Sequence, residues 1–150
     1  MNNKIPPPVV GLTVVLLMWG TSSALAEINF NATWQLPVAI LVGLLGFAVS
    51  IAGLLAFRRV QTTVNPMNPE EASSLVDFGI FRYSRNPMYL GLLLVLAGFA
   101  IWFGNPLNFF WLVFFVLFIS RFQIAPEERV LQEKFPEAFA DYCARVRRWI

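Results

Sequence analysis

A chain of 150 residues that is 57% hydrophobic and only 13% charged carries about half the charge of an ordinary soluble domain, which has roughly 25%. It has too much apolar surface for one water-facing globule, and a bilayer is the solvent that suits it. With no histidine and one cysteine, Cys143, it is excluded from Ser-His triads and from an intrachain disulfide; no metal site is expected, and a net charge of +2 gives no reason to expect a nucleic-acid partner.

Four apolar runs follow in chain order, at about 9–26, 36–57, 88–103 and 107–124. Each is close to the ~20 residues a helix needs to cross about 30 Å of hydrocarbon. Backbone groups in lipid must be satisfied within the segment, so the expected fold is an all-α membrane bundle of about four spans in a single domain. The first run imitates a signal peptide, with Lys4 before it and Ala24-Leu25-Ala26 at its end. Pro6, Pro7, Pro8 and Trp19 are out of place in a signal, so a retained helix is expected. Gly43, Gly46, Ser50 and Gly53 recur at helical spacing in the second run, and Gly91 and Gly98 in the third. Such stripes predict close helix–helix packing. Phe109, Phe110, Phe114, Phe115 and Phe118 crowd the fourth. They read as lipid-facing or core filler.

The tail 125–150 differs. Leu131, Phe135, Phe139, Tyr142, Val146 and Trp149 recur every three or four residues with charge between them, an amphipathic helical pattern. Pro126 and Pro136 suit first helical turns, so two short helices are expected, broken near Phe135. All eleven Lys and Arg residues lie at the amino terminus, in the middle loop, or in the tail and the last residues of the fourth run that lead into it (Arg121), and none lies in the loops at 27–35 and 104–106. The positive-inside rule then puts both termini and the middle loop in the cytoplasm.

Two clusters hold polar groups beside the membrane. In Arg85-Asn86-Pro87-Met88-Tyr89-Leu90-Gly91, Asn86 is placed to cap the third helix and Pro87 to open it. The free N–H groups there suit an anion such as a carboxylate. Gly91, about one turn in, leaves room for a ligand or another backbone. At Pro126-Glu127-Glu128-Arg129, two adjacent carboxylates admit two readings. Either they hold ribose hydroxyls or lie near a cationic sulfonium, or they start the tail helix, where acidic residues favour the dipole.

The ordered set of Arg85 to Gly91, Glu127-Glu128 and then Phe135, Tyr142, Val146 and Arg148-Trp149-Ile150 resembles the isoprenylcysteine carboxyl methyltransferase and phospholipid methyltransferase superfamily. Thr62-Thr63-Val64-Asn65-Pro66, Leu75-Val76 and Gly79 are similar to its small bacterial members, and the resemblance covers roughly residues 58–150. It implies an S-adenosylmethionine-dependent membrane methyltransferase, here in a bacterial inner membrane. It implies a cofactor pocket built from Gly79, Tyr83, Arg85, Asn86, Pro87, Tyr89 and Gly91, closed by Glu127 and Glu128. Arg85 is the candidate catalytic group, and Tyr142 and Arg145 are candidate substrate contacts. Many members carry histidine where this chain has Asn86, which cannot be charged.

The expected partners are the bilayer and a hydrophobic or lipid-linked acceptor. A carboxylate acceptor needs no base, which suits a chain without histidine. Membrane sterol reductases share a similar carboxyl-terminal fold and motif and use a nicotinamide cofactor, but those chains are usually longer. A non-enzymatic four-helix transporter needs an ionisable residue within a span, and the middles of these runs have none. Reporter fusions test the expected topology: fusions at Asn31 and Asn105 should report outside and one after Ile150 inside. An outside signal at Ile150 would invert the orientation.

Overall fold

The computed structural model of the chain describes residues 5–59 and 75–150. Lys4 and the Thr62–Pro66 stretch lie outside the described residues. In chain order the helices are α1 (Pro7–Ala24), α2 (Gln35–Arg59), α3 (Pro87–Phe103), α4 (Asn108–Ile119), α5 (Ala125–Lys134) and α6 (Pro136–Arg145). A 3-10 turn at Gly79–Arg82 leads into α3, and a π-turn at Ser120–Ile124 joins α4 to α5. There is no strand among the described residues.

The expected boundary between the fourth span and the tail is absent. Helix runs unbroken from Asn108 to Lys134 over 27 residues. Pro126 does not start a new helix; it sits in one already running. Proline has no N–H and its ring crowds the carbonyl four residues back. The turn before it widens in response, and Ala125 N donates to Ser120 O, five residues back. The break expected near Phe135 is real: Phe135 leaves helical geometry at φ −132° and ψ 58°, and Pro136 opens α6.

Pro7–Ala24, Gln35–Arg59 and Asn108–Lys134 are long and apolar enough to cross a membrane. α3 is equally apolar but has 17 residues, a length of about 25 Å. It is the central helix, packed by α1, α2 and α4. Its seam with α2 is backbone against backbone. A Cβ on Gly46 would stand 2.8 Å from Leu94 Cβ and Val95 N, and one on Gly91 would collide with Ser50 Oγ and Gly46 O. One on Gly98 would stand 2.8 Å from Ala39 O. The small-residue stripes in the two runs therefore face each other. The phenylalanines of α4 divide: Phe115 is fully buried, while Phe109, Phe110 and Phe114 point outward with the leucines of α2.

Polar side chains tie the bundle at the end of α3 away from Arg85. Gln35 Nε2 donates to Ile101 O at 2.7 Å and Trp102 O at 2.8 Å. Asn105 Nδ2 donates to Asn29 Oδ1 at 2.6 Å, and Asn108 Nδ2 to Ser22 Oγ at 3.1 Å. Gly104 ends α3 with φ 68°, a left-handed conformation that suits glycine. At the opposite end a second core forms from Ala56, Val76, Phe81, Phe139, Tyr142 and Val146. Phe57 and Phe81 meet edge to face with centroids 5.2 Å apart. The tail helices thus pack on the end of α2 and on the approach to α3.

The seam gives a stability test. Gly91→Ala should destabilise the detergent-solubilised protein by about 1–3 kcal/mol, the usual range for overpacking. Gly20→Ala, with nothing within 4 Å of the added methyl, should be neutral or stabilising by up to about 1 kcal/mol, from helix propensity. Equilibrium unfolding measures both. Equal effects would show that the seam is not limited by backbone approach.

Candidate functional site

The polar cluster forms where the start of α3 meets α5 and residues 146–150. Ser84 is buried, and its Oγ accepts from Asn86 N at 3.1 Å. This turns the chain into α3, with Pro87 at its first position. From that entrance Arg85 Nη2 reaches Glu128 Oε1 at 3.0 Å. Tyr89, within the first turn, donates its hydroxyl to Glu127 Oε1 at 2.7 Å. Adjacent glutamates on α5 therefore take different partners, because neighbouring residues on a helix project about 100° apart.

Arg148 completes the cluster. Its Nε donates to Glu128 Oε1 at 3.1 Å and its Nη2 to Glu128 Oε2 at 2.5 Å, a two-point grip on one carboxylate. Glu128 thus lies between two guanidiniums. Hydrogen bonding to Glu128 raises the Arg148 pKa further above its usual value. Arg85 Nε is buried without a hydrogen-bond partner among the described residues. Burial pushes the Cys143 thiol up despite the nearby Arg85, so it stays a thiol at neutral pH.

A shallow groove open to solvent, about 350 Å³ in volume, lies beside this cluster, lined by Ala125, Glu128, Arg129, Gln132, Phe139 and Arg148. The α5 members fall at i, i+3, i+4 and i+7, which is one helix face. Glu127 points elsewhere, to α3. Small Ala125 leaves room at one end of that face.

The structure gathers Arg85, Asn86, Tyr89, Glu127 and Glu128 at one end of the bundle. Pro87 is buried there as a helix opener. Asn86 occupies the cap position, but its side chain makes no cap. Its Nδ2 donates instead to Arg148 O at 2.9 Å, which corrects the expected cap. Gly91 stands apart from the cluster: α2 fills the space beside it, so its openness admits another backbone. Gly79 has φ 62° and nothing within 4 Å of a built Cβ; it serves the turn. Tyr83 is 73% exposed. Tyr142 is buried and donates its hydroxyl to Phe81 O at 2.8 Å. Burial raises its pKa and keeps it protonated. Arg145 pairs at 3.3 Å with Asp77, both largely exposed. Neither Tyr142 nor Arg145 reaches the glutamates with these bonds.

Arg148, Arg129, Gln132, Phe139 and Ala125 were absent from the expected site. The i, i+3, i+4, i+7 spacing from Ala125 to Gln132 was a readable signal for a shared face. Nothing in the spacing of Arg148 pointed to Glu128, twenty residues earlier.

A family model for phospholipid methyltransferases matches residues 34–138, which takes in α2, α3, α4 and α5. An uncharacterized protein of Haemophilus influenzae is 44% identical over 63 residues, 42% of this chain and 100% of the relative. Protein-S-isoprenylcysteine O-methyltransferase A of Arabidopsis thaliana is 27% identical over 116 residues, 75% of this chain. The chain spans 57% of that plant protein's length. No solved structure matches at a significant level. Since the matching family model covers well over half of its length, the chain belongs to the phospholipid methyltransferase family.

Proposed function

We propose that the chain transfers a methyl group from S-adenosylmethionine to a small hydrophobic or lipid-linked acceptor, preferentially a carboxylate, at the cytoplasmic face of a membrane. We read its 150 residues as one catalytic unit. The observation that carries this reading is the meeting of Tyr89–Glu127 and Arg85–Glu128–Arg148 at one end of the bundle, in a chain of a methyltransferase family.

The residues present suit the cofactor. A volume of about 350 Å³ falls in the usual range of small-molecule sites, roughly 300–1,000 Å³. Glu128 on the groove wall, with Glu127 next to it on α5 against Tyr89, offers acceptors for ribose hydroxyls and charge for a sulfonium. The uncapped start of α3 offers N–H donors to a carboxylate. S-adenosylmethionine supplies the methyl group: its methyl carbon–sulfur bond breaks as the acceptor oxygen–carbon bond forms, leaving a methyl ester and S-adenosylhomocysteine. The protein's task is to align the reacting atoms and exclude water. Tyr89 fixes the direction of the Glu127 carboxylate, and Glu128 holds Arg85 beside it. No proton need be removed from a carboxylate acceptor. That agrees with the absence of histidine and with a Cys143 thiol kept protonated by burial.

S-adenosylhomocysteine should stabilise the detergent-solubilised protein and NADPH should not. A ligand that binds only the folded state adds about 2.7 kcal/mol at a hundredfold excess over Kd, visible in a thermal-shift assay. Stabilisation by NADPH alone would favour a reductase. Glu127→Gln keeps shape and removes charge, so the ligand-free protein should be nearly unchanged. Its binding of S-adenosylhomocysteine should weaken by roughly 1.5–3 kcal/mol, the usual loss for a hydrogen bond to a charged group. Wild-type affinity in calorimetry would remove Glu127 from the site.

A further inference from the structure

We propose that residues 146–150 form a positioning strap for the site, and that Arg148 acts through Glu128 to hold Arg85 in place. The proposal rests on the methyl-transfer reading of that site. It starts from the way four of these residues, Val146 to Trp149, are engaged. α6 ends at Arg145, and the backbone becomes extended at Val146, with φ −127° and ψ 132°. Val146 is buried in the second core with Phe81 and Tyr142. Arg147 O accepts from Arg85 N at 3.1 Å, and Arg148 O accepts from Asn86 Nδ2 at 2.9 Å. The Arg148 side chain grips Glu128 on α5. Trp149 Nε1 donates to Ser120 Oγ at 3.1 Å, and its ring packs against the bundle core that includes Tyr89, Leu96, Phe115 and Ile124.

The strap therefore crosses from the second core, over the entrance to α3, to α5 and the π-turn. A solvated tail would leave these groups to water. Each of the two residues that lead into α3 gives a donor to it: Arg85 its backbone N–H and Asn86 its side-chain amide. This explains why Asn86 sits at the cap position without capping. Its amide nitrogen is occupied by the strap.

Arg148 is a positioning residue because its donor bonds go to Glu128. A planar guanidinium bonded through two nitrogens fixes the plane of the carboxylate as well as its place. Glu128 Oε1 is then held where Arg85 Nη2 meets it. Without Arg148, Glu128 Oε2 loses this partner and the carboxylate can rotate away from Arg85. Arg85, left beside a mobile carboxylate, would present its guanidinium in no single orientation.

Calorimetric titration with S-adenosylhomocysteine tests the chain of action. Arg148→Met should weaken binding about tenfold or more, the equivalent of losing a charged hydrogen bond. Arg148→Lys keeps the charge but not the planar fork, so it should restore only part of the affinity. Glu128→Gln should weaken binding comparably, and the double variant Arg148→Met, Glu128→Gln should bind within about twofold of the weaker single variant, the pattern of two residues acting as a unit. Trp149→Phe keeps the bulk and removes the indole N–H, so it serves if Arg148→Met fails to fold; it should weaken binding about threefold. Arg148→Met binding within twofold of wild type, or fully multiplying losses in the double variant, would overturn the proposal. So would Trp149→Phe at wild-type affinity when Arg148→Met does not fold.

Amide hydrogen exchange at Arg85 reads the strap without ligand. It should accelerate in Arg148→Met and in Asn86→Asp, which removes the donor to Arg148 O. If wild type does not bind S-adenosylhomocysteine, the methyl-transfer reading falls, and exchange alone decides the strap: faster exchange supports it and unchanged exchange overturns it.

Discussion

The structure depends on the close approach of α2 and α3. At Gly46 and Gly91 the backbones come near enough that a methyl group on either would overlap the partner helix. Lipid tails are as apolar as leucine, so apolar side chains gain little by leaving them for each other, and packing at short range must hold helices together. The seam runs from Ala39 and Gly98 at one end to Gly53, Pro87 and Met88 at the other. It sets the height of α3, a helix of 17 residues, within the bundle. That height brings Arg85, Asn86 and Tyr89 to the end where α5 and the tail meet.

The electrostatics of the site follow from partial burial. Arg85 and Glu128 keep less than a fifth of their side-chain surface exposed. A charge so placed is costly unless paired and hydrogen-bonded. Glu128 is satisfied from two sides, by Arg85 and by Arg148. The more exposed pair Arg145–Asp77 has solvent available to both partners and contributes little, as surface pairs do. Two ion pairs of similar chemistry thus carry different weight in one small region.

The π-turn at Ser120–Ile124 links covalent geometry to the site. Pro126 widens the helix, and a widened turn shifts the angular phase of everything after it. Glu127 and Glu128 follow immediately. The same turn supplies Ser120 Oγ to Trp149 and Gln123 Nε2 to Ile5 O at 2.7 Å. A single proline thus affects where the glutamates point, and the turn it widens anchors both a residue before α1 and the strap.

Sequence alone determined the apolar helical class, the two polar clusters and the positions of the helices other than the boundary between α4 and α5. Those properties are local: hydrocarbon thickness sets run length, proline sets helix starts, and periodicity marks buried faces. The glycine and serine stripes were legible for the same reason. A resemblance to an ordered motif grouped Arg85, Tyr89 and the glutamates, and the fold brings these side chains to one end of the bundle. Tertiary structure decided what local rules cannot reach. Asn86 looked like a cap because caps are read from neighbours three residues away, and its partner proved to be Arg148, sixty-two residues on. Gly91 left room for a ligand or another backbone, and the choice fell to a helix forty-five residues earlier. Pro126 looked like a helix start because a wide turn that absorbs a proline leaves no mark in composition. Arg148 joined the site only when the chain folded back on α5. Pairings across such distances depend on where packing brings the backbone, and no periodicity in the sequence encodes that.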